Sequence, residues 1–193
     1  MRKRVLTENS HLSAKVRVRM EWLQECGKDR VAVLDAFAGD SVIWTRIQQL
    51  MPDLRVDYLG IDKRKYHRPD VIMGDNLKVM RGMDLTKFDL IDLDAFGFPW
   101  QQLEITAEQA PHVPIASTAI GVTLGPLPYG VLKAAGIPEA WVKEEDIPHA
   151  LFNRWRWEFW DHFLTTLGYA TTSYEIHLDK PSVKRYEILT RGS

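Results

Sequence analysis

FDLIDLDAFGFPW, from Phe88 to Trp100, reads as an apolar strand that ends in two acids and passes into an aromatic, glycine-bearing loop. Strands buried on both faces are nearly unbroken apolar runs. Asp92 and Asp94 lie two apart and therefore on one side of that strand, where burial without partners is costly. Both acids are thus expected to have partners, and the loop beyond them reads as chemistry placed at a strand end.

The same signature repeats upstream. RVAVLDAF is a compact β-branched run to Asp35, followed by a small-residue turn at Ala38 to Ser41 and a helical pattern through Val42, Ile43, Ile47 and Leu50 that Pro52 stops. Val56 to Ile61 is a strand closed by Asp62, and Asp70 to Met73 is a short strand closed by Gly74-Asp75. Ile115 to Val122 is small and β-branched, as suits a buried fifth strand. Strands alternating with helices mean an α/β protein with a mostly parallel sheet.

At the amino end, Asn9 or Ser10 is placed to cap a helix carrying Leu12, Val16, Met20 and Leu23 and ending near Gly27. At the other end, Leu151 to Leu167 is helical with Gly168 as its stop, and Tyr169 to Leu178 with Lys184 to Thr190 read as an antiparallel hairpin. Between them, Leu124 to Pro148 has weak periodicity and is expected to be a substrate-facing insertion. The 193 residues, 45% hydrophobic, suit a single domain over 1–193.

Composition narrows the class. No apolar run is long enough to span a bilayer, and Met1-Arg-Lys-Arg is not followed by a secretory segment, so a cytoplasmic protein is expected. Cys26 is the only cysteine, which excludes an internal disulfide and any cysteine-clustered metal site. The six histidines show no HxH or HExxH spacing, so no metal is expected. Net charge is −1, but residues 1–30 form a locally basic helical segment, with Lys15, Arg17, Arg19, Lys28 and Arg30 among its cations, that would suit a phosphate backbone or a solvated helix face.

Acids at the ends of successive strands, Asp35, Asp62, Asp75 and Asp94, converge on the crevice beyond the carboxyl edge of an open sheet, where ligands bind. Capping of the following helix is the ordinary alternative, above all for Asp75. Asp35-Ala-Phe-Ala-Gly-Asp-Ser41 has the glycine and the helix start of a nucleotide loop, and Asp62 follows at the spacing of a ribose-binding acid. Ser41 and the bulky Trp44 stand where a dinucleotide fingerprint needs small residues, which argues against NAD.

VLDAFAG, LGID, MGDN and DLIDLDAFG, in that order, resemble the successive motifs of class I S-adenosylmethionine-dependent methyltransferases. The resemblance implies a Rossmann-like domain with a seven-stranded, mostly parallel sheet, helices on both faces and a carboxyl-terminal antiparallel hairpin. It implies S-adenosyl-L-methionine as cofactor, with Asp35, Ala36, Phe37, Gly39 and Ser41 around the methionine part, Asp62 with Lys63 at the ribose, and Asp75 with Asn76 at the adenine. Ser41 departs from the second glycine usual in that loop. IDLDAFGFP also resembles the IDLDPFGSP signature of the Trm1 family of tRNA guanine-N2 methyltransferases, with Ala95 for proline and Phe98 for a small residue.

That likeness implies transfer of a methyl group to an exocyclic amino group of a nucleic-acid base, RNA guanine ahead of DNA adenine or cytosine. Such an amine is a poor nucleophile because its lone pair is delocalised into the ring, so a carboxylate that accepts its N–H assists attack. Asp94 is the expected catalytic residue. Phe96, Gly97, Phe98 and Trp100 form the expected substrate-binding loop, whose aromatic rings would stack on a base. Asp92 is grouped with the cofactor-binding set as a buried acid hydrogen-bonded to backbone amides around the first loop. Of Trp155, Trp157 and Trp160 on the late helix, Trp155 falls on the apolar stripe and is expected in the core, with core packing favoured over a nucleic-acid platform for the set, while Trp157 and Arg154 can fall outside that stripe. A small-molecule or protein methyltransferase, and a non-catalytic binding module, are the competing readings, and a protein partner or self-association stays open.

Overall fold

The structure is a computed structural model. It describes residues 11–66, 68–121, 149–179 and 182–192. The chain starts with α1 (Leu12–Cys26), followed by β1 (Arg30–Asp35), α2 (Val42–Leu50), β2 (Arg55–Asp62), β3 (Val71–Met73), α3 (Asn76–Arg81) and, after a 3-10 turn, β4 (Leu90–Asp94). Then come α4 (Trp100–Gln109), β5 (Ile115–Ile120), α5 (His149–Thr166), β6 (Tyr169–Asp179) and β7 (Ser182–Arg191).

The strands form one seven-stranded sheet in the order β3-β2-β1-β4-β5-β7-β6, with every pairing parallel except the two made by β7, to β5 and to β6. The order reverses between β1 and β4, which places a crevice at their carboxyl ends. Register puts Asp35 beside Asp92, and Asp94 beside Thr118. The mostly parallel sheet with its terminal hairpin is the architecture expected from the strand-and-helix alternation.

Each face of the sheet has its own apolar layer. On one, Val31, Val33, Leu90 and Ile188 pack against α1 and α2 through Ala14, Leu23, Trp44 and Ile47. On the other, Leu34, Ile91, Leu93 and Leu189 pack against Met80 of α3, Leu103 of α4 and Trp160 of α5. Alternation along β4 therefore sends Asp92 and Asp94 to the α1 side, with Leu90, while Ile91 and Leu93 face α4.

Beyond shifts of a residue or two at several strand and helix ends, two helix starts differ from the sequence reading. Helix α1 begins after His11, which takes a left-handed conformation and makes no side-chain cap, in place of a cap at Asn9 or Ser10. Gly27 closes it at φ 62°, a conformation glycine adopts without steric cost. The loop expected to run to Trp100 instead becomes α4 at that residue, with Pro99 at its N-cap. Residues 1–10 and the expected insertion at 124–148 lie outside the described residues.

Candidate active site

The crevice at the carboxyl ends of β1, β2 and β3 holds a cleft of about 350 Å³. Ala36 and Phe37 line it from the first loop, Asp62 and Lys63 from the end of β2, Gly74, Asn76 and Leu77 from the β3–α3 turn, and Gln101 and Gln102 from α4. Sequence reasoning misses the two glutamines because it treats the start of α4 as loop. A signal is nonetheless present: Pro99 before Trp100, with Leu103 one turn on, is a helix start.

Backbone geometry explains the loop. Gly39 is at φ 52° and Ser41 at φ 58°, so Ser41 occupies with a side chain the kind of position glycine favours. The Ser41 hydroxyl is 2.8 Å from the Tyr58 hydroxyl, which donates to Asp35 Oδ2 at 3.0 Å. Phe37 N–H donates to Asp35 Oδ1 at 3.0 Å. Burial, reinforced by the neighbouring Asp92 charge, raises the Asp35 pKa well above the usual carboxylate range, with the Phe37 amide opposing it. The Tyr58 hydroxyl is raised as well, by burial and then by Asp35.

Asp62 accepts Gly39 N–H at 3.0 Å and Arg64 N–H at 2.8 Å, which fixes the carboxylate at the mouth of the cleft. Asn76 donates to the Ala36 carbonyl at 2.8 Å and accepts from Gln102 at 3.1 Å, tying α3, α4 and the first loop together. Asp75 has the capping geometry: its carboxylate accepts Leu77 N–H at 3.1 Å and Lys78 N–H at 3.3 Å, with Lys63 3.4 Å away. The amide bonds, with Lys63, hold its pKa below the usual value. Its neighbours Gly74 and Asn76, not Asp75 itself, line the cleft.

One strand over, the acids of β4 meet cations of α1. Asp92 is fully buried and takes two bonds from Arg19, at 2.6 and 2.5 Å, and one from Trp44 Nε1 at 2.7 Å. Burial lowers the Arg19 pKa, but the Asp92 charge overcomes it and the net shift is upward. This corrects the expectation that the Asp92 carboxylate would bind amides of the first loop. Only its backbone does so, the Asp92 carbonyl accepting Ala36 N–H at 2.9 Å. Asp94 Oδ2 accepts from Lys15 Nζ at 2.8 Å, while Asp94 Oδ1 is buried with no hydrogen-bond partner among the described residues.

The aromatic loop divides. Phe96 is 55% exposed, whereas Trp100 is buried and stacks on Phe98 with ring centroids 4.8 Å apart. Phe98 also meets Trp157 edge-on at 5.4 Å, and Trp160, buried, donates to Glu187 at 2.7 Å. The three alternating rings therefore do not point together, because Phe98 and Trp100 turn into the layer under α5. Gly97 makes the turn at φ 118°, and its carbonyl accepts Ile120 N–H at 3.0 Å. The side chain of Trp155 lies outside the described residues.

The basic amino-terminal segment is also reinterpreted. Besides Lys15 and Arg19, Arg17 pairs with Glu175, Lys28 with Asp89 and Arg30 with Asp57. These cations of residues 11–30 are thus each paired with an acid of the sheet or its loops, with Arg17, Lys28 and Arg30 still more than half exposed. Among the described residues no group of three His, Cys, Asp or Glu is arranged to hold a metal, and no helix is long and apolar enough to cross a membrane.

No protein-family profile matches the sequence, and no curated protein matches it significantly. Solved structures do. A protein of Listeria monocytogenes assigned as a class I S-adenosylmethionine-dependent methyltransferase superposes with TM-score 0.57 at 13% identity, over 97% of this chain and 61% of its own. Trm1 of Pyrococcus horikoshii, solved with S-adenosyl-L-methionine, gives TM-score 0.52 at 15% identity, over 94% of this chain and 55% of its own. The 1,6-didemethyltoxoflavin-N1-methyltransferase of Burkholderia thailandensis, solved with S-adenosylhomocysteine, gives 0.55 at 10% identity, over 96% of this chain and 80% of its own. This chain spans only about three fifths of the Listeria protein and just over half of Trm1. With its sheet order and crevice, the chain has the fold of the class I S-adenosylmethionine-dependent methyltransferases.

Proposed function

We propose that the chain is an S-adenosylmethionine-dependent methyltransferase that modifies an exocyclic amino group of a nucleic-acid base, with guanine in RNA as the first acceptor to test. The observation that carries this reading is the presence of two features along the carboxyl edge of one sheet. A polar cleft is anchored by Asp62 and Asn76, and Asp94, outside the lining of that cleft, ends β4 next to β1 with one carboxylate oxygen held and the other without a hydrogen-bond partner among the described residues.

The residues of the cleft suit the cofactor. Asp62 keeps acceptor capacity for ribose hydroxyls after its two amide bonds, Ile61 and Leu77 supply apolar walls for an adenine ring, and the Phe37 to Ser41 loop suits the amino-acid part. When bound, the cofactor would supply an electrophilic methyl group to the acceptor nitrogen, the electron pair of the broken carbon–sulfur bond staying on sulfur. Asp94 accepts an N–H of the amine, localises its lone pair for attack, and takes up the proton that the nitrogen sheds afterwards. Phe96, exposed just beyond Asp94, offers a ring face to the base. Positioning and electrostatics then supply the rate.

A small-molecule acceptor is the second reading, favoured by the one-to-one neutralisation of cations at 11–30. Transfer of labelled methyl to bulk RNA, to DNA and to a metabolite extract, run in parallel, separates the two. Label in RNA supports the first reading. Label only in the extract replaces it with the second, and no label in any pool removes the enzyme reading.

A further inference from the structure

The two acids of β4 and the two cations of α1 are matched in spacing. Residues four apart on a helix lie about 6 Å apart along its axis and residues two apart on a strand about 6.6 Å, so Lys15 and Arg19 meet Asp94 and Asp92 as a ladder. The two rungs are chemically different. Arg19 grips Asp92 with a planar fork, and Trp44 adds a third bond, so that both oxygens of that carboxylate are engaged. Lys15 gives Asp94 one bond from a single ammonium, and Arg19 donates to the Lys15 carbonyl at 2.9 Å, linking the second rung to the first.

A lysine side chain only 6% exposed is uncommon and needs a partner, which accounts for the bond but not for its asymmetry. Asp94 Oδ1 stays buried with no donor among the described residues. The neighbouring strand repeats the pattern: Thr118 is the register partner of Asp94, and its hydroxyl is likewise buried with no hydrogen-bond partner among the described residues. A buried carboxylate oxygen and a buried hydroxyl left open on paired residues cost free energy that a purely structural ion pair would not incur.

We propose that Lys15 is the positioning residue for Asp94: its ammonium holds Oδ2 and so reserves Oδ1 for the N–H of the acceptor amine. Helix α1 is then part of the active site. The charged groups around Asp94 are Lys15 and Arg19 on α1, Asp92 on β4 and Asp35 on β1. Arg19 is committed to Asp92, whereas Lys15 bonds Asp94 directly at 2.8 Å and so sets its orientation.

The inference rests on the methyltransferase reading, and the test separates the two. Lys15→Met, Lys15→Arg and Asp94→Asn are compared with the unaltered chain, with labelled S-adenosylmethionine and bulk RNA as probes and cofactor affinity measured by calorimetry. Lys15→Met is expected to bind cofactor normally, to keep KM for RNA, and to lose ~10²-fold in kcat, as a misplaced group does. Lys15→Arg is expected to lie between the two, because it keeps the charge and changes the reach. Loss of turnover in Asp94→Asn together with unaltered kcat in Lys15→Met overturns this inference and leaves the function standing. Full turnover in Asp94→Asn overturns the role of Asp94 and the inference with it, as does an unaltered chain that labels no RNA. Should Lys15→Met fail to fold, Lys15→Arg decides: reduced kcat at unchanged KM and cofactor affinity supports positioning, and unaltered kcat overturns it.

Discussion

Arg19 and Asp92 form a two-point ion pair, with bonds of 2.6 and 2.5 Å, in which both side chains are removed from solvent. The pair joins α1 to the central strand β4, so a helix that precedes the nucleotide-type fold is fastened to its middle. Removing one partner of such a pair leaves the other as an uncompensated buried charge.

Arg19→Met is therefore expected to destabilise the chain by about 3–5 kcal/mol, because among the described residues Asp92 stays behind with Trp44 as its one side-chain donor. The double variant Arg19→Met with Asp92→Leu should be much closer to the original in stability. Urea denaturation measures both. If the double variant is as unstable as the single one, lost packing outweighs the buried charge.

Asp35 gives a pH prediction. Its folded-state pKa is raised well above the usual 3.8 by burial, so between these values the folded chain holds a proton that the unfolded chain has released. This contribution therefore favours folding at low pH and is lost as pH rises from about 4 toward the folded-state pKa. Asp35→Asn keeps a carbonyl oxygen for the Phe37 amide and sets an NH2 toward the Tyr58 oxygen in place of Oδ2. Having no proton to release, it should lose less stability over that rise than the unaltered chain. Melting temperature against pH reads the difference, and parallel curves would contradict it.

Ser41 tests the loop. At φ 58° a serine carries strain of about 1 kcal/mol or more. Its hydroxyl bond to Tyr58 offsets this by about 1 kcal/mol. Ser41→Ala keeps the strain and loses the bond, so it should destabilise by about 1 kcal/mol. Ser41→Gly loses both and should be nearer neutral. A thermal melt that ranks glycine below alanine would show that the hydroxyl bond does not decide the matter.

Asp62→Ala removes the carboxylate that accepts two loop amides at the cleft mouth. Calorimetry should show S-adenosylmethionine binding weakened by ~10–10²-fold, the loss expected for bonds to a charged acceptor. Unchanged affinity would place the cofactor elsewhere.

How far the sequence can be read depends on whether a residue's role is set locally or by a distant partner. β1, β4 and the hairpin are legible because β-branched runs bounded by turns are local signals. Helix α4 is not, because the polar Gln101, Gln102 and Glu104 obscure its apolar positions, and with it Gln102 is lost from the cleft. The need of Asp92 for a partner follows from its own strand, but the identity of that partner does not: Arg19 lies 73 residues away. A similar separation hides Lys15 behind an apparently basic surface, since a cation's partner is set by tertiary packing.

The aromatic loop supplies the last prediction, because its rings have different surroundings. Phe96→Ala deletes a ring that is 55% exposed, so folding should be almost unaffected while KM for the acceptor rises. Phe98→Ala removes a ring packed on Trp100 and Trp157, and should cost about 3 kcal/mol of stability. Parallel melts and methyl-transfer kinetics on the two variants measure both effects. A Phe96→Ala variant with unaltered KM would remove that ring from substrate binding, and the loop's contribution would then reduce to placing Asp94 through the Gly97 turn and its bond to Ile120.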